Sequence, residues 1–100
     1  MKYYVYIILT VDNTFYTGIT TDVLRRFEEH KTSIKGAKYT KSHPPKEIVF
    51  LKEFEDKSAA SKEEYRIKKT LTKKQKTVLI EENSTKTEFL LKNLLINQQK

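Results

Sequence analysis

Residues 3–19 read YYVYIILTVDNTFYTGI, and this stretch decides the fold. Tyr, Val and Ile fill residues 3–11, and β-branched and aromatic side chains suit a pleated surface. Both faces of the segment carry bulk, which predicts a central strand. Asp12-Asn13 is a turn pair. Residues 14–19 then form a second strand, antiparallel to the first. Gly18 near its end marks a close backbone approach or a bulge.

Outward from the hairpin, Thr20-Thr21-Asp22 offers N-cap side chains for a helix that runs to about Lys31. Val23, Leu24, Phe27 and Lys31 supply its inner stripe. Residues 32–46 show no apolar periodicity and contain Gly36 and Pro44-Pro45; a loop that long in a small domain is often functional. Residues 47–54 (EIVFLKEF) make a third strand. Ser58 is expected to cap a helix over 59–71, Thr72 to start another through about Glu82, and a last helix to cover about 86–98. The order ββαβαα plus a C-terminal helix gives an α+β fold with a small three-stranded antiparallel sheet. One domain is expected over residues 1–82, with 83–100 as a helical extension packed on it.

Composition narrows the function. Leu, Ile, Val and Phe together number 27 of 100 residues, enough for a lean core and against disorder. There is no cysteine, which excludes disulfides, thiolate metal sites and thiol nucleophiles. No apolar run approaches the roughly 20 residues of a membrane-spanning helix. The opening lacks a small-residue cleavage site, so it reads as a strand and the location as cytoplasmic. The net charge is +7, and it is concentrated. Residues 25–46 and 62–76 each hold seven basic and two acidic side chains. Two basic segments on a near-neutral body point to a polyanion, most often nucleic acid; the alternative is a solvated surface that binds nothing.

Three sets of residues break the amphipathic pattern. Ala60, Glu64, Ile67 and Leu71 share one helix face, and a carboxylate there needs a partner or a cation. It is either that or a stripe-edge glutamate held by Lys68 one turn on. Arg26 and His30 share a face beside Phe27; they could meet a phosphate or simply rim the helix. Tyr6 and Tyr16 lie in adjacent strands, where tyrosine mostly packs.

These residues fall at the positions of one family. The chain resembles the GIY-YIG nuclease superfamily. Its first signature tripeptide corresponds to Tyr4-Val5-Tyr6 and its second to Tyr16-Thr17-Gly18. Arg26 stands ten residues past the second tyrosine, His30 follows four later, and Glu64 resembles the metal-binding glutamate. Gly36-Ala37-Lys38-Tyr39-Thr40 is typical of the small stand-alone bacterial (UPF0213-like) branch, which is similar to excision-repair and structure-specific endonuclease domains. The resemblance covers about residues 2–82. Tyr4 replaces the first motif's glycine and Thr17 the second motif's isoleucine, while the tyrosines are kept.

The resemblance implies a DNA endonuclease that hydrolyses phosphodiester bonds with one divalent ion, Mg²⁺ or Mn²⁺, in DNA repair or processing. Glu64 would hold the ion, a sparse protein contribution that suits magnesium. Arg26 would meet the phosphate oxygens, Tyr6 would be general base or water-orienting group, Tyr16 would position water or phosphate, and His30 would share the proton or hold the phosphate. If the two tyrosines share a site they must face one side of the sheet. A strict two-residue turn at Asp12-Asn13 would put them on opposite sides, so an odd-numbered loop or a bulge is expected. Lys35, Lys38, Lys41 and Lys46, with Lys62, Lys68, Lys69, Lys73, Lys74 and Lys76, are expected to flank the tyrosine face. Of these, Lys35, Lys38, Lys41, Lys68, Lys69 and Lys73 are the nucleic-acid-binding candidates. Branched, flapped or single-stranded DNA is the expected partner, without base-specific readout. A nucleic-acid-binding module with the same fold and little cleavage is the alternative; an interaction protein working through the last helix is a third reading. In that helix Phe89, Leu90, Leu91, Leu94, Leu95 and Ile96 are expected to pack on the domain's own core in a monomer, with a homodimer helix as the other possibility.

Overall fold

The computed structural model describes residues 1–32 and 38–98. Strands β1 (Tyr3–Thr10), β2 (Phe15–Thr20) and β3 (Pro45–Phe54) form one antiparallel sheet in the order β2-β1-β3. The central position of β1 accounts for its bulk on both faces: Tyr4 to Ile8 are all buried. β3 begins at Pro45, two residues before the expected start. Proline is tolerated there because β3 is an edge strand.

The hairpin register settles the tyrosines. Tyr6 pairs with Gly18 and Ile8 with Tyr16, so Tyr6 and Tyr16 stand on the same face. The loop between Thr10 and Thr14 has three residues, closed by Thr10 N–H to the Thr14 carbonyl at 2.9 Å. Asn13 takes the left-handed conformation (φ 64°) that a three-residue hairpin loop requires at its last position.

Helices cover both faces. On the tyrosine face, Tyr4, Tyr6, Ile8 and Leu51 pack under α1 (Val23–Thr32) and α5 (Ser84–Gln98) through Val23, Phe27, Leu90, Leu91 and Leu94. On the other face, Val5, Ile7 and Phe50 pack against α3 (Lys57–Thr70) and α4 (Lys73–Glu82) through Ala60, Ile67, Leu71, Leu79 and Ile80. A shift in register between Ile7 and Ile8 lets Val49 and Phe50 both serve this second core.

The segment 32–46 is not all loop, as its lack of periodicity implied. Residues Lys38–Ser42 form a short helix, α2; Gly36, Lys35 and the rest of 33–37 lie outside the described residues. The cap of α3 is Asp56, whose carboxylate accepts from Ala59 N–H at 2.8 Å, rather than Ser58. Aspartate has the side-chain acceptor an N-cap needs, and it sits one residue before the first helical turn. Thr72 starts α4 as expected, in a capping box with Gln75. In α5, six large apolar residues cannot share one stripe. Leu90, Leu91 and Leu94 turn inward, while Phe89, Leu95 and Ile96 stay exposed. No described helix is long and apolar enough to cross a membrane.

Candidate active site

The tyrosine face of β1 and β2 is where α1, α2 and α3 bring their polar side chains. The rings of Tyr6 and Tyr16 lie 6.3 Å apart. His30, on the last turn of α1, closes the group at 5.9 Å from Tyr6 and 5.1 Å from Tyr16, edge-on to both. It is fully buried, not at the rim of its helix. Its Nε2 shares a 2.9 Å hydrogen bond with the Tyr6 hydroxyl, and its Nδ1 a 2.8 Å bond with the Thr40 hydroxyl.

Gly18 makes this packing possible. A Cβ there would meet the Tyr6 hydroxyl at 2.5 Å and the Tyr16 ring at 3.2 Å. The glycine thus marks a close approach of side chains to backbone, not a bulge.

Charge arrives from two sides. Arg26, one turn before His30, bonds Glu29 through Nη1 at 2.9 Å and is largely shielded from solvent. Glu64 lies half-buried on α3, which packs beneath the sheet but also along its β2 edge. Its carboxylate is felt by both tyrosines. Burial pushes the Tyr6 phenol well above its ordinary range, the neighbouring Tyr16 and Glu64 add to this, and the Arg26 guanidinium opposes it. Tyr16 is raised too, by burial first, with Arg26 again opposing. Burial, reinforced by the Arg26 charge, lowers His30 to about 4. At neutral pH the group therefore holds two neutral phenols, a neutral imidazole, one guanidinium and carboxylates at its edge.

The donor set fits a sparse divalent site. Among the described residues no group of three or more His, Asp or Glu could cage a metal. One half-buried carboxylate whose charge reaches two phenols is compatible with a magnesium-type ion, which keeps most of its waters and takes the rest from substrate phosphate.

Around this centre, Lys68 lies over the Tyr16 ring at 5.8 Å. Lys73, expected to flank the tyrosine face, lies instead over Phe15 at 5.8 Å and bonds the Asn13 carbonyl; Phe15 alternates with Tyr16 and belongs to the other face's core. Lys38 and Lys41 are exposed on α2, beside Tyr39, which stacks on Tyr16 at 6.0 Å. Lys69 is exposed further along α3, and Lys35 lies outside the described residues. Lys74 instead lines a groove with Leu71, Val78 and Glu82, between α3 and α4.

The family follows from the sequence that builds this centre. A sequence model of the GIY-YIG catalytic domain matches residues 2–78. The chain belongs to the GIY-YIG family. That family is a nuclease superfamily, so DNA is its substrate class. UPF0213 proteins from several bacteria match most of the chain. UPF0213 protein SH2523 of Staphylococcus haemolyticus is 47% identical over 81% of this chain and 96% of its own length. UPF0213 protein YhbQ of Salmonella typhimurium is 46% identical over 92% of this chain and 89% of its own. The solution NMR structure of UPF0213 protein BH0048 from Bacillus halodurans superimposes with a TM-score of 0.55, at 40% identity, over 84% of this chain and 87% of that one.

Several residues around the group of Tyr6, Tyr16 and His30 have no site role in the sequence reading, although Tyr39 and Thr40 stand in the branch motif Gly36–Thr40. Thr40 backs His30 within the core, and Tyr39, His43 and Asp12 run on beside it. Tyr39 stacks on His43 at 4.2 Å, and His43 Nδ1 meets the Asp12 carboxylate at 2.6 Å. The available signal was the four-residue spacing of Tyr39 and His43, one helical turn, in a segment otherwise read as loop.

Proposed function

We propose that this chain is a metal-dependent endonuclease that hydrolyses phosphodiester bonds in branched, flapped or single-stranded DNA, in DNA repair or processing. The observation that carries the reading is the bond between the Tyr6 hydroxyl and a buried His30, with the Tyr16 ring 6.3 Å from that of Tyr6 and the Arg26 and Glu64 charges felt at the Tyr6 phenol.

A divalent ion at Glu64, Mg²⁺ or Mn²⁺, would supply Lewis-acid polarisation of the phosphate. Arg26 donates to the phosphate oxygens as negative charge gathers on them. Tyr6 orients the attacking water and takes its proton as its own passes to His30 Nε2. Tyr16, across the face, positions the water or the phosphate. Burial and Arg26 destabilise the imidazolium, so the proton passes back from His30 through Tyr6 to the departing oxygen of the phosphodiester. Lys38, Lys41, Lys68 and Lys69 hold the DNA backbone, which accounts for affinity without base readout.

One observation favours the second reading, a nucleic-acid-binding module with little cleavage. The Tyr6 phenol is pushed away from ionisation by its surroundings. Nicking of a plasmid and of branched oligonucleotides with Mg²⁺ or Mn²⁺ separates the two. Metal-dependent cleavage by the wild type, lost in Glu64→Gln and Arg26→Ala, supports the enzyme. Binding without cleavage supports the module.

A further inference from the structure

Beyond the residues that face the substrate, the hydrogen-bond chain continues inward. Thr40 is buried, and its hydroxyl lies 2.8 Å from His30 Nδ1. We infer that Thr40 is a positioning residue that holds His30 in the Nδ1–H tautomer, so that Nε2 faces Tyr6 as an acceptor.

The argument rests on matching acids to bases along the chain. A neutral imidazole has one N–H donor and one acceptor nitrogen, and the partner of one nitrogen fixes the role of the other. At the Tyr6 end, the phenol is the better donor and the imidazole nitrogen the better acceptor, by several units of intrinsic pKa. The favoured bond is therefore Tyr6 O–H to Nε2. Nδ1 must then carry the hydrogen and give it to Thr40, whose hydroxyl oxygen can accept. The reverse tautomer would turn Nε2–H towards Tyr6 and leave the phenol proton nowhere to go on the histidine. Burial of both side chains keeps water from exchanging the roles. The inference rests on the proposed nuclease chemistry only for its consequence; the tautomer itself is a property of the resting protein.

The test is ¹⁵N NMR of the imidazole rings in the full-length protein, which separates the two tautomers by their nitrogen shifts. The chain has only two histidines, so His43 is an internal control for folding. The expected result is Nδ1–H for His30 in the wild type, with a weaker preference in Tyr6→Phe, which removes the donor to Nε2. In Thr40→Val a shift towards Nε2–H is expected, with Nδ1–H restored in Thr40→Ser. Cleavage of branched DNA should fall by about tenfold or more in Thr40→Val, by analogy with the loss of an outer hydrogen bond to a metal-ligating imidazole, and recover in Thr40→Ser. A wild-type His30 in the Nε2–H form overturns the inference, even should Thr40→Val not fold. An unchanged tautomer in Thr40→Val overturns it too. A shifted tautomer with undiminished cleavage overturns the positioning role. A wild type that never cleaves defeats the nuclease reading, while the tautomer is still decided by the spectrum.

Discussion

The Tyr6 hydroxyl occupies the space above Gly18: a Cβ on that glycine would stand 2.5 Å from it. Tyr6 is buried and bonded to His30, so its ring has little freedom to give way. Gly18→Ala should therefore displace Tyr6 or strain the β1–β2 ladder. Overpacking of this kind costs about 1–3 kcal/mol. The check is a denaturation midpoint together with the Tyr6–His30 contact by NMR. An alanine variant of wild-type stability, with that contact intact, would show the approach to be looser than described.

His30 links stability to pH with a definite sign. Its folded value is about 4, below the ordinary 6.5, so the unfolded chain binds more protons between those values. Its contribution is fully present above about 6.5 and is lost as pH falls towards 4, by on the order of 3 kcal/mol. Asp12, held down to about 2 by bonds from Thr10 and then His43, acts in a lower window and loses its contribution as pH falls from about 4 to 2. Urea unfolding across this range should show a slope between pH 4 and 6.5 that flattens in His30→Gln. An equal slope in both proteins would place the titration elsewhere.

The basic residues divide by position. Binding to duplex DNA should weaken with salt by about −0.9 per neutralised phosphate. Lys68→Ala, beside Tyr16, should lower that slope by about 1. Lys74→Ala, in the groove between α3 and α4, should leave it unchanged. Fluorescence anisotropy at several salt concentrations decides this, and a Lys74 effect equal to that of Lys68 would contradict it.

Truncation after Asn83 tests α5. The helix covers the tyrosine-face core with Leu90, Leu91 and Leu94, and Thr87 accepts from the Leu51 N–H of β3 at 3.1 Å. Burying each leucine contributes roughly 1.5–3 kcal/mol, and a whole domain is stable by only about 5–15 kcal/mol. The shortened chain should be unfolded or nearly so by circular dichroism. A folded, fully cooperative fragment would mean that α5 is an interface rather than core.

The hairpin was legible because its signals are local. Alternating Tyr, Val and Ile set the strands, and the requirement that Tyr6 and Tyr16 share a face demanded an odd loop, which the register supplies. The stripe Ala60, Glu64, Ile67, Leu71 was legible for the same reason. α2 was not. Five residues carry too little periodicity to signal a helix, and Tyr39 and Thr40 are held by Tyr16 and His30 from other elements. The burial of His30 was equally hidden, since a polar side chain enters a core only when distant partners, here Tyr6 and Thr40, satisfy both ring nitrogens. In α5, the sequence could not say which of Leu94, Leu95 and Ile96 would face inward, because the helix's rotation is set by Leu51 and Thr87 across the sheet.

The most direct measurement is single-turnover cleavage of a labelled branched duplex by the wild type and Tyr6→Phe, with saturating protein and Mg²⁺ or Mn²⁺. Phenylalanine keeps the buried ring and removes only the hydroxyl that bonds His30. The expected result is a rate lower by about 100-fold or more, the scale of a lost proton-transfer group, with DNA affinity unchanged. A Tyr6→Phe protein that cleaves as fast as the wild type would contradict the proposed site.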